Sequence, residues 1–353
     1  MCCKNLLKKL NYNLQNKGEI MKIVIDAFGG DYAPYEIVAG AVKALQENAD
    51  LELVLVGDKD KITEILQKLV FVSDRLEIVH APDVVTMDES PTVAIRTKKT
   101  SSIVVAYDYL KQNDDAVALV SAGSTGATLT GAVLKLGRVK GVSRPALAPI
   151  LPTVNDGEVM LLDCGANAEC RSENLLDFAI MGNEYMKAMG VKKPRIALLN
   201  IGTEEEKGNE MIKEAHQLLK NAKLNFVGNI EARDVIRGNV DVVVSDGFSG
   251  NVCLKTIEGT AEILFGEIKA ITKKSLKTKI GALMLKKSLY GLKSKYDHKK
   301  VGGAPLLGVN KVVLKCHGNS KAESIAATIA QAYTLGKNKL IERVLKAVSN
   351  EEK

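Results

Sequence analysis

One repeated rhythm limits what this chain can fold into. From Met21 onward, a short run rich in Val, Ile and Leu gives way to a loop rich in Gly, Asn or Asp, then to a stretch with helical spacing, and the cycle starts again. Alternating strands and helices build an α/β fold. The strand candidates are Ile23–Ile25, Leu51–Val56, Leu76–Val79, Ala116–Val120, Val159–Leu162, Ile196–Leu199, Leu224–Val227, Val240–Val244 and Val312–Lys315. Most are apolar nearly throughout rather than alternating, so both of their faces must be covered; the expectation is a largely parallel sheet with helices on both faces. Helices are expected over Tyr35–Asn48, Lys61–Leu69, Ser90–Gln112, Leu175–Met189, Asn209–Asn221 and Glu323–Ala347. The linkers are short and no repeat or low-complexity tract intervenes. A single domain over residues 21–347 is therefore expected, with 348–353 as a tail. Residues 259–300 break the rhythm: they are helical and strand-free, and should form a projecting hairpin.

Composition narrows the function. With 46% hydrophobic residues in 353, the chain can bury a full core. Aromatic residues make up only 4% and Trp is absent, which argues against stacking platforms for bases or sugars. Of the formal charge of +7, much is local, because lysines crowd residues 273–300. Such a cluster attracts a polyanion: nucleic acid, an anionic membrane and an acidic protein all fit, and a solvated helix face is the bland alternative. The six cysteines lack CxxC spacing and the four histidines form no HExxH pair, so no dedicated metal site is expected. No apolar run approaches the roughly 18 residues of a membrane span.

In open parallel sheets, ligands bind where strands end and helices begin. Here those points carry small polar loops: DAFGGD (Asp26–Asp31), SAGSTGA (Ser121–Ala127), DCGAN (Asp163–Asn167), NIGTEEEKGN (Asn200–Asn209) and SDGFSGN (Ser245–Asn251). Glycines allow backbone amides to approach a ligand, and a following helix N-terminus favours an anion. Candidate phosphate contacts are therefore Asp26, Gly29, Gly30, Ser121, Gly123, Ser124, Thr125, Gly126, Asn167, Asp246, Gly250 and Lys255. Ordinary strand-to-helix turns explain the same glycines, and an Asn at a helix start is commonly a cap. Neither a GxxxxGK[ST] loop nor a GxGxxG after the first strand is present, which argues against a kinase, an ATPase or a standard dinucleotide enzyme.

These loops in this order, together with RPALAPILPT (Arg144–Thr153), GNIEARD (Gly228–Asp234), VVVSDGFSGNVCLKTIEG (Val242–Gly259), GGAPLLG (Gly302–Gly308) and HGNS (His317–Ser320), resemble the phosphate acyltransferase family of bacterial phospholipid synthesis. The resemblance runs from Met21 to about Ala332. Phe28, Ser124, Val301 and Asn319 depart mildly from the family pattern, and Ser124 puts the detailed role of its own position in question. The resemblance implies a Rossmann-like fold related to the isopropylmalate dehydrogenase and phosphotransacetylase groups. It implies a cytoplasmic homodimer that needs no cofactor and gives nucleic acid no role. It also implies a reaction: phosphate attacks the thioester of long-chain acyl carrier protein, and the acyl phosphate formed passes to a membrane glycerol-3-phosphate acyltransferase.

Phosphate is already an anionic nucleophile, so the enzyme must hold two anions together and stabilise an oxyanion. The expected catalytic groups are Lys207 to neutralise charge, Asn251 to donate to the same charge and align phosphate, and His317 to protonate sulfur, although a structural His serves as well. Cys164 as an acyl-bearing nucleophile is a weaker alternative. Leucines and methionines interleaved with lysines over 272–300 fit an interfacial helix on anionic lipid, which would make the protein peripheral to the membrane; carrier-protein docking and dimer packing fit too. Rival functions are an acyl-CoA-dependent phosphate acyltransferase of the acetyl or butyryl type, an isopropylmalate-type dehydrogenase, and a membrane-associated scaffold.

Residues 1–20 lack the apolar core and cleavage site of a signal peptide and are expected to lie outside the fold, as a disordered extension or a mis-assigned start. Codons for Lys17–Glu19 can spell a purine-rich ribosome-binding site, which makes Met21 the expected natural start. Mass spectrometry of the native protein should find Met21 first; a peptide containing Asn13 would refute this.

Overall fold

The computed structural model describes residues 21–295 and 302–351; the proposed extension before Met21 lies outside them. The α/β class is as the rhythm requires, but the strands divide between two sheets. The first contains β1 (Lys22–Asp26), β2 (Glu52–Gly57), β3 (Leu76–His80), β4 (Ala116–Ser121), β5 (Ala146–Leu147), β11 (Ala304–Leu307) and β12 (Val312–Lys315), in the order β3-β2-β1-β4-β12-β11-β5. The second contains β6 (Ile150–Pro152), β7 (Glu158–Leu162), β8 (Ile196–Asn200), β9 (Phe226–Glu231) and β10 (Val242–Val244), in the order β6-β7-β10-β8-β9. Pairing is parallel except where β11 meets β12 and β5, and where β6 meets β7. One buried cluster runs from Ile23 and Leu53 in the first sheet to Leu198 and Val244 in the second, so the two sheets share a core.

The helices follow from apolar spacing and capping. In α1 (Tyr35–Glu47), Ile37, Val38, Ala41, Val42 and Leu45 form one buried face. Asp58 caps α2 (Lys59–Lys68) by accepting from the Asp60 and Lys61 amides. The stretch expected as one helix over Ser90–Gln112 is two, α3 (Pro91–Thr97) and α4 (Ser102–Gln112), because the Ser102 amide turns aside to bond the Asp83 carbonyl. Then come α5 (Thr125–Gly131), α6 (Ser172–Ala188) and α7 (Glu210–Asn221), the last capped by Asn209. The stretch Glu323–Ala347 also divides, into α11 (Ala322–Lys337) and α12 (Leu340–Glu351), at Lys339, whose φ of 53° leaves the helical region. Helix α12 runs past 347 and buries Val348, so the expected tail begins inside it.

Where a two-helix hairpin is expected, three helices stand: α8 (Gly247–Lys273), α9 (Leu276–Met284) and α10 (Lys286–Lys295). Ser275 and Thr278 form a capping box that ends the first and starts the second. Residues 296–301, which complete the expected projection, lie outside the described residues.

The chain crosses between sheets at Ala148 and Pro149, and one buried carboxylate fixes that crossing. Asp163 accepts from the Leu147 amide of β5 at 2.9 Å, from the Ala166 and Asn167 amides at 3.2 and 2.7 Å, and from the Asn167 side chain at 2.9 Å. Hydrogen bonds to a charged acceptor contribute about 1.5–3 kcal/mol each, and a donor left buried without a partner costs comparably. Asp163→Ala should therefore lower unfolding free energy by at least about 3 kcal/mol in urea denaturation; a loss within error would show that the sheets are held by apolar packing alone.

Candidate active site

Loops at the carboxyl ends of the strands of both sheets carry the candidate residues. From the first sheet come the exits of β1, β4 and β12, which pack closely together. A Cβ on Gly29 would lie 2.5 Å from Asp26 Oδ2 and 2.6 Å from the Gly123 amide, and one on Gly30 would lie 3.0 Å from the Gly318 carbonyl. These glycines thus let three loops touch. Ser121 donates to Asp26 Oδ2 at 2.8 Å and accepts from the Gly123 amide at 3.1 Å. Ser124 caps α5 through the Ala127 amide, Thr125 is exposed, and Gly126 lies against Pro91. The cavity behind this loop is about 10 Å³, room for one water, and Asp26 lines it. Asp26 Oδ1 is, among the described residues, a buried oxygen without a partner. Burial pushes the Asp26 carboxyl up, against Ser102, Ser121 and Lys315; burial likewise pushes the Lys315 ammonium down.

From the second sheet come Asn200, Asp163 and Ser245. Asp246 caps α8, its Oδ1 accepting from the Phe248 and Ser249 amides at 3.0 and 2.8 Å. A Cβ on Gly250 would collide with the Asp163 carbonyl, so only glycine lets the first turn of α8 lie on that loop. Asn167 is buried and spends its amide hydrogens on Pro145 and Asp163, at 2.7 and 2.9 Å; it orients the loop instead of reaching into the cleft. Asn251 lies over Gly165, where a Cβ would be 3.7 Å from its Cγ. It is exposed, and among the described residues its side-chain amide has no partner.

Lys207 is exposed on the Asn200–Asn209 loop. Its backbone is fixed by the Asn200 side chain, which donates to its carbonyl at 3.1 Å, and by its own amide to Glu204 at 3.3 Å. His216 steadies the same loop from below: its Nδ1 lies 2.9 Å from Asn229 Oδ1, and Asn229 donates to the Glu204 carbonyl at 2.8 Å. No direct contact joins Lys207 to Asn251 among the described residues.

The contact that spans the two sheets went unread in the sequence. His317, leaving β12, brings Nε2 to 3.8 Å from Glu258 Oε1 on α8, and Glu258 Oε2 accepts from Lys255 at 2.7 Å. A helical Glu three residues after a Lys looks like an ordinary surface pair, and only the fold brings His317 to it.

Glu258 also lines a groove of about 1190 Å³ beside α8. Asn200, Gly208, Asn209, Asp246 and Ser249 border one end, and Leu264, Phe265, Ile268 and Leu292 border the other.

Cys164 is 3% exposed, and burial, followed by the Asp163 charge, drives its thiol well above the ordinary range; burial pushes Cys170 up to about 11. Both are neutral thiols near pH 7 and poor nucleophiles.

A two-sheet α/β fold of this kind is shared with solved phosphotransacylases. A phosphotransacetylase from Streptococcus pyogenes superposes with a TM-score of 0.61 at 20% identity, covering 93% of this chain and 98% of that one. A branched-chain phosphotransacylase from Enterococcus faecalis superposes at 0.57 and 14% identity, over 90% and 99%. A putative 4-hydroxythreonine-4-phosphate dehydrogenase from Salmonella typhimurium reaches 0.51 at 14% identity, over 89% and 99%. At such identities the likeness is one of fold. Sequence is more specific. A family described as fatty acid synthesis protein matches residues 21–343. Phosphate acyltransferases from Caldanaerobacter subterraneus subsp. tengcongensis and Clostridium novyi are each 47% identical over 325 residues, 92% of this chain and 96% and 97% of theirs. The chain belongs to the phosphate acyltransferase family and is a transferase.

Because Cys164 is buried and its thiol neutral, Cys164→Ser should leave kcat within a few-fold, and iodoacetamide should inactivate slowly at pH 7. Rapid inactivation abolished by this substitution would make Cys164 the nucleophile.

Proposed function

We propose that this protein carries a long-chain acyl group from acyl carrier protein to inorganic phosphate. The observation that carries the reading is the contact across the two sheets between His317, which follows β12, and Glu258 on α8, with the exposed Asn251 two turns earlier on the same side of that helix. A phosphate oxygen attacks the thioester carbon and forms a tetrahedral oxyanion. Collapse breaks the carbon–sulfur bond, giving an acyl phosphate and the carrier's thiolate, which takes up a proton. In this reading Lys207 draws the anionic nucleophile and screens the developing oxyanion, while Asn251 donates to that charge. His317, 3.8 Å from Glu258, protonates sulfur in the same reading; a thiol leaving group with pKa of about 8.5 makes that assistance helpful rather than essential.

Loss of a true oxyanion donor costs about 10²–10³ in kcat. Purified protein should release carrier thiol from palmitoyl-acyl carrier protein only with phosphate, with product trapped by hydroxylamine as a hydroxamate, and Lys207→Ala and Asn251→Ala should each lose that factor. Losses of a few-fold for both would end the assignment. Release from palmitoyl-CoA alone would move the donor to coenzyme A.

The same reading makes the protein a homodimer that works at the cytoplasmic membrane face and hands its product to a glycerol-3-phosphate acyltransferase. Among the described residues no helix is long and apolar enough to cross a membrane. Support for surface contact is the hairpin, where Leu276, Ile280, Leu283 and Met284 are exposed beside Lys273, Lys274, Lys277, Lys279, Lys286 and Lys287. Leu283→Glu with Met284→Glu should abolish sedimentation with anionic vesicles; undiminished binding would exclude this segment as the anchor.

A further inference from the structure

Helix α7 buries one side, and a histidine sits in it. Ile212, Ala215 and Leu219 recur at three- and four-residue steps against the core, and His216, 3% exposed, shares their face. An apolar side chain would fill that place at no polar cost, whereas a buried imidazole needs partners. Phe226 packs against the ring, with centroids 5.0 Å apart, and leaves both nitrogens to other contacts.

Those contacts are unequal. Nδ1 lies 2.9 Å from Asn229 Oδ1, while Nε2 lies 3.7 Å from Oε1 of Glu205, an exposed carboxylate that Lys220 already holds at 2.8 and 3.0 Å. The other end of the Asn229 amide decides its orientation. Its nitrogen donates to the Glu204 carbonyl at 2.8 Å, and a carbonyl only accepts, so Oδ1 is the atom turned to His216 and Nδ1 must carry the hydrogen. The Glu204 carbonyl also accepts from the Lys207 amide at 3.3 Å. A relay of three hydrogen bonds thus runs from His216 through Asn229 to the backbone of Lys207.

We infer that His216 is a positioning residue for Lys207: its Nδ1–H fixes Asn229, which fixes the Glu204–Lys207 turn from which the ammonium extends. This rests on the role proposed for Lys207 above. Lys207 is exposed, so backbone tethers rather than packing set where its charge can fall. Asn200 supplies one, donating to the Lys207 carbonyl, and the relay from His216 supplies the other. A displacement of about 1 Å at a positioned group can cost about 100-fold in rate.

The amide nitrogen of Asn is a δ atom, as Nδ1 is, and that of Gln is an ε atom, as Nε2 is. His216→Asn therefore keeps a donor toward Asn229, His216→Gln keeps only a group facing Glu205, and His216→Leu keeps neither while filling the buried place. The experiment measures kcat/KM for phosphate in the three variants, with and without Lys207→Ala, alongside hydrogen exchange of the peptide spanning residues 201–209 and unfolding in urea. His216→Gln and His216→Leu should lose at least about tenfold and exchange the loop faster, while His216→Asn stays within a few-fold. Beside Lys207→Ala the same substitutions should cost nothing further, because groups that act as a unit are not additive. Activity kept by Gln and lost by Asn would move the function to the Glu205 contact and overturn the inference. So would equal effects in all three, losses that simply follow stability in urea, or losses that persist in full beside Lys207→Ala. A wild type that makes no acyl phosphate, but whose loop loosens with Gln and Leu and not with Asn, would uphold the tether and sink the acyl transfer.

Discussion

The arrangement depends on the Asp163 carboxylate. Its oxygens accept from Leu147 at the end of the first sheet and from the turn that leaves β7 in the second, and its own carbonyl accepts from Ser245 Oγ at 3.1 Å, where β10 ends. Burial pushes this carboxyl up, and the surrounding N–H groups oppose that pressure. A charge held in this way cannot shift without leaving several donors unmet. It therefore fixes where the α8 N-terminus rests, since Gly250 lies directly on the Asp163 carbonyl, and hence where Asn251 points. Positioning by a rigid shell is what an acyl transfer between two anions requires.

Much of the fold was legible because strands buried on both faces write themselves as apolar runs. The strands that escaped are those with little sequence of their own: Ala146–Leu147, Ile150–Pro152 and Ala304–Leu307 are two to four residues long and take their conformation from their neighbours. Division into two sheets was also invisible, because the crossing at Ala148 and Pro149 resembles any short apolar linker. The two over-long helices reflect helical spacing that continues across Ser101 and Asn338, where the Ser102 amide bonds the Asp83 carbonyl and the Asn338 side chain bonds the Ala188 carbonyl.

Legibility at the site followed a similar line. Polar loops at strand ends were evident, but their internal use was not. Asn167, Asp246 and Ser124 spend hydrogen bonds on the loops and helix starts that carry them, while Asn251 and Lys207 remain exposed. Sequence alone cannot separate an Asn that caps from one that reaches outward, since both occupy a helix start. Glu258 gave no signal, because its importance lies in facing His317 across the cleft. Residues 247–258 of α8 lie before the expected helical projection, so their apolar side gave no signal; Leu151, Leu199 and Ile236 lie opposite it.

The central claim is that phosphate is held between the Lys207 loop and the first turn of α8. Calorimetric titration of inorganic phosphate into the wild-type protein, Lys207→Ala and Asn251→Ala tests it most directly. The account predicts saturable binding to the wild type that weakens by at least about tenfold in each variant; equal affinity in all three would place phosphate elsewhere and contradict it.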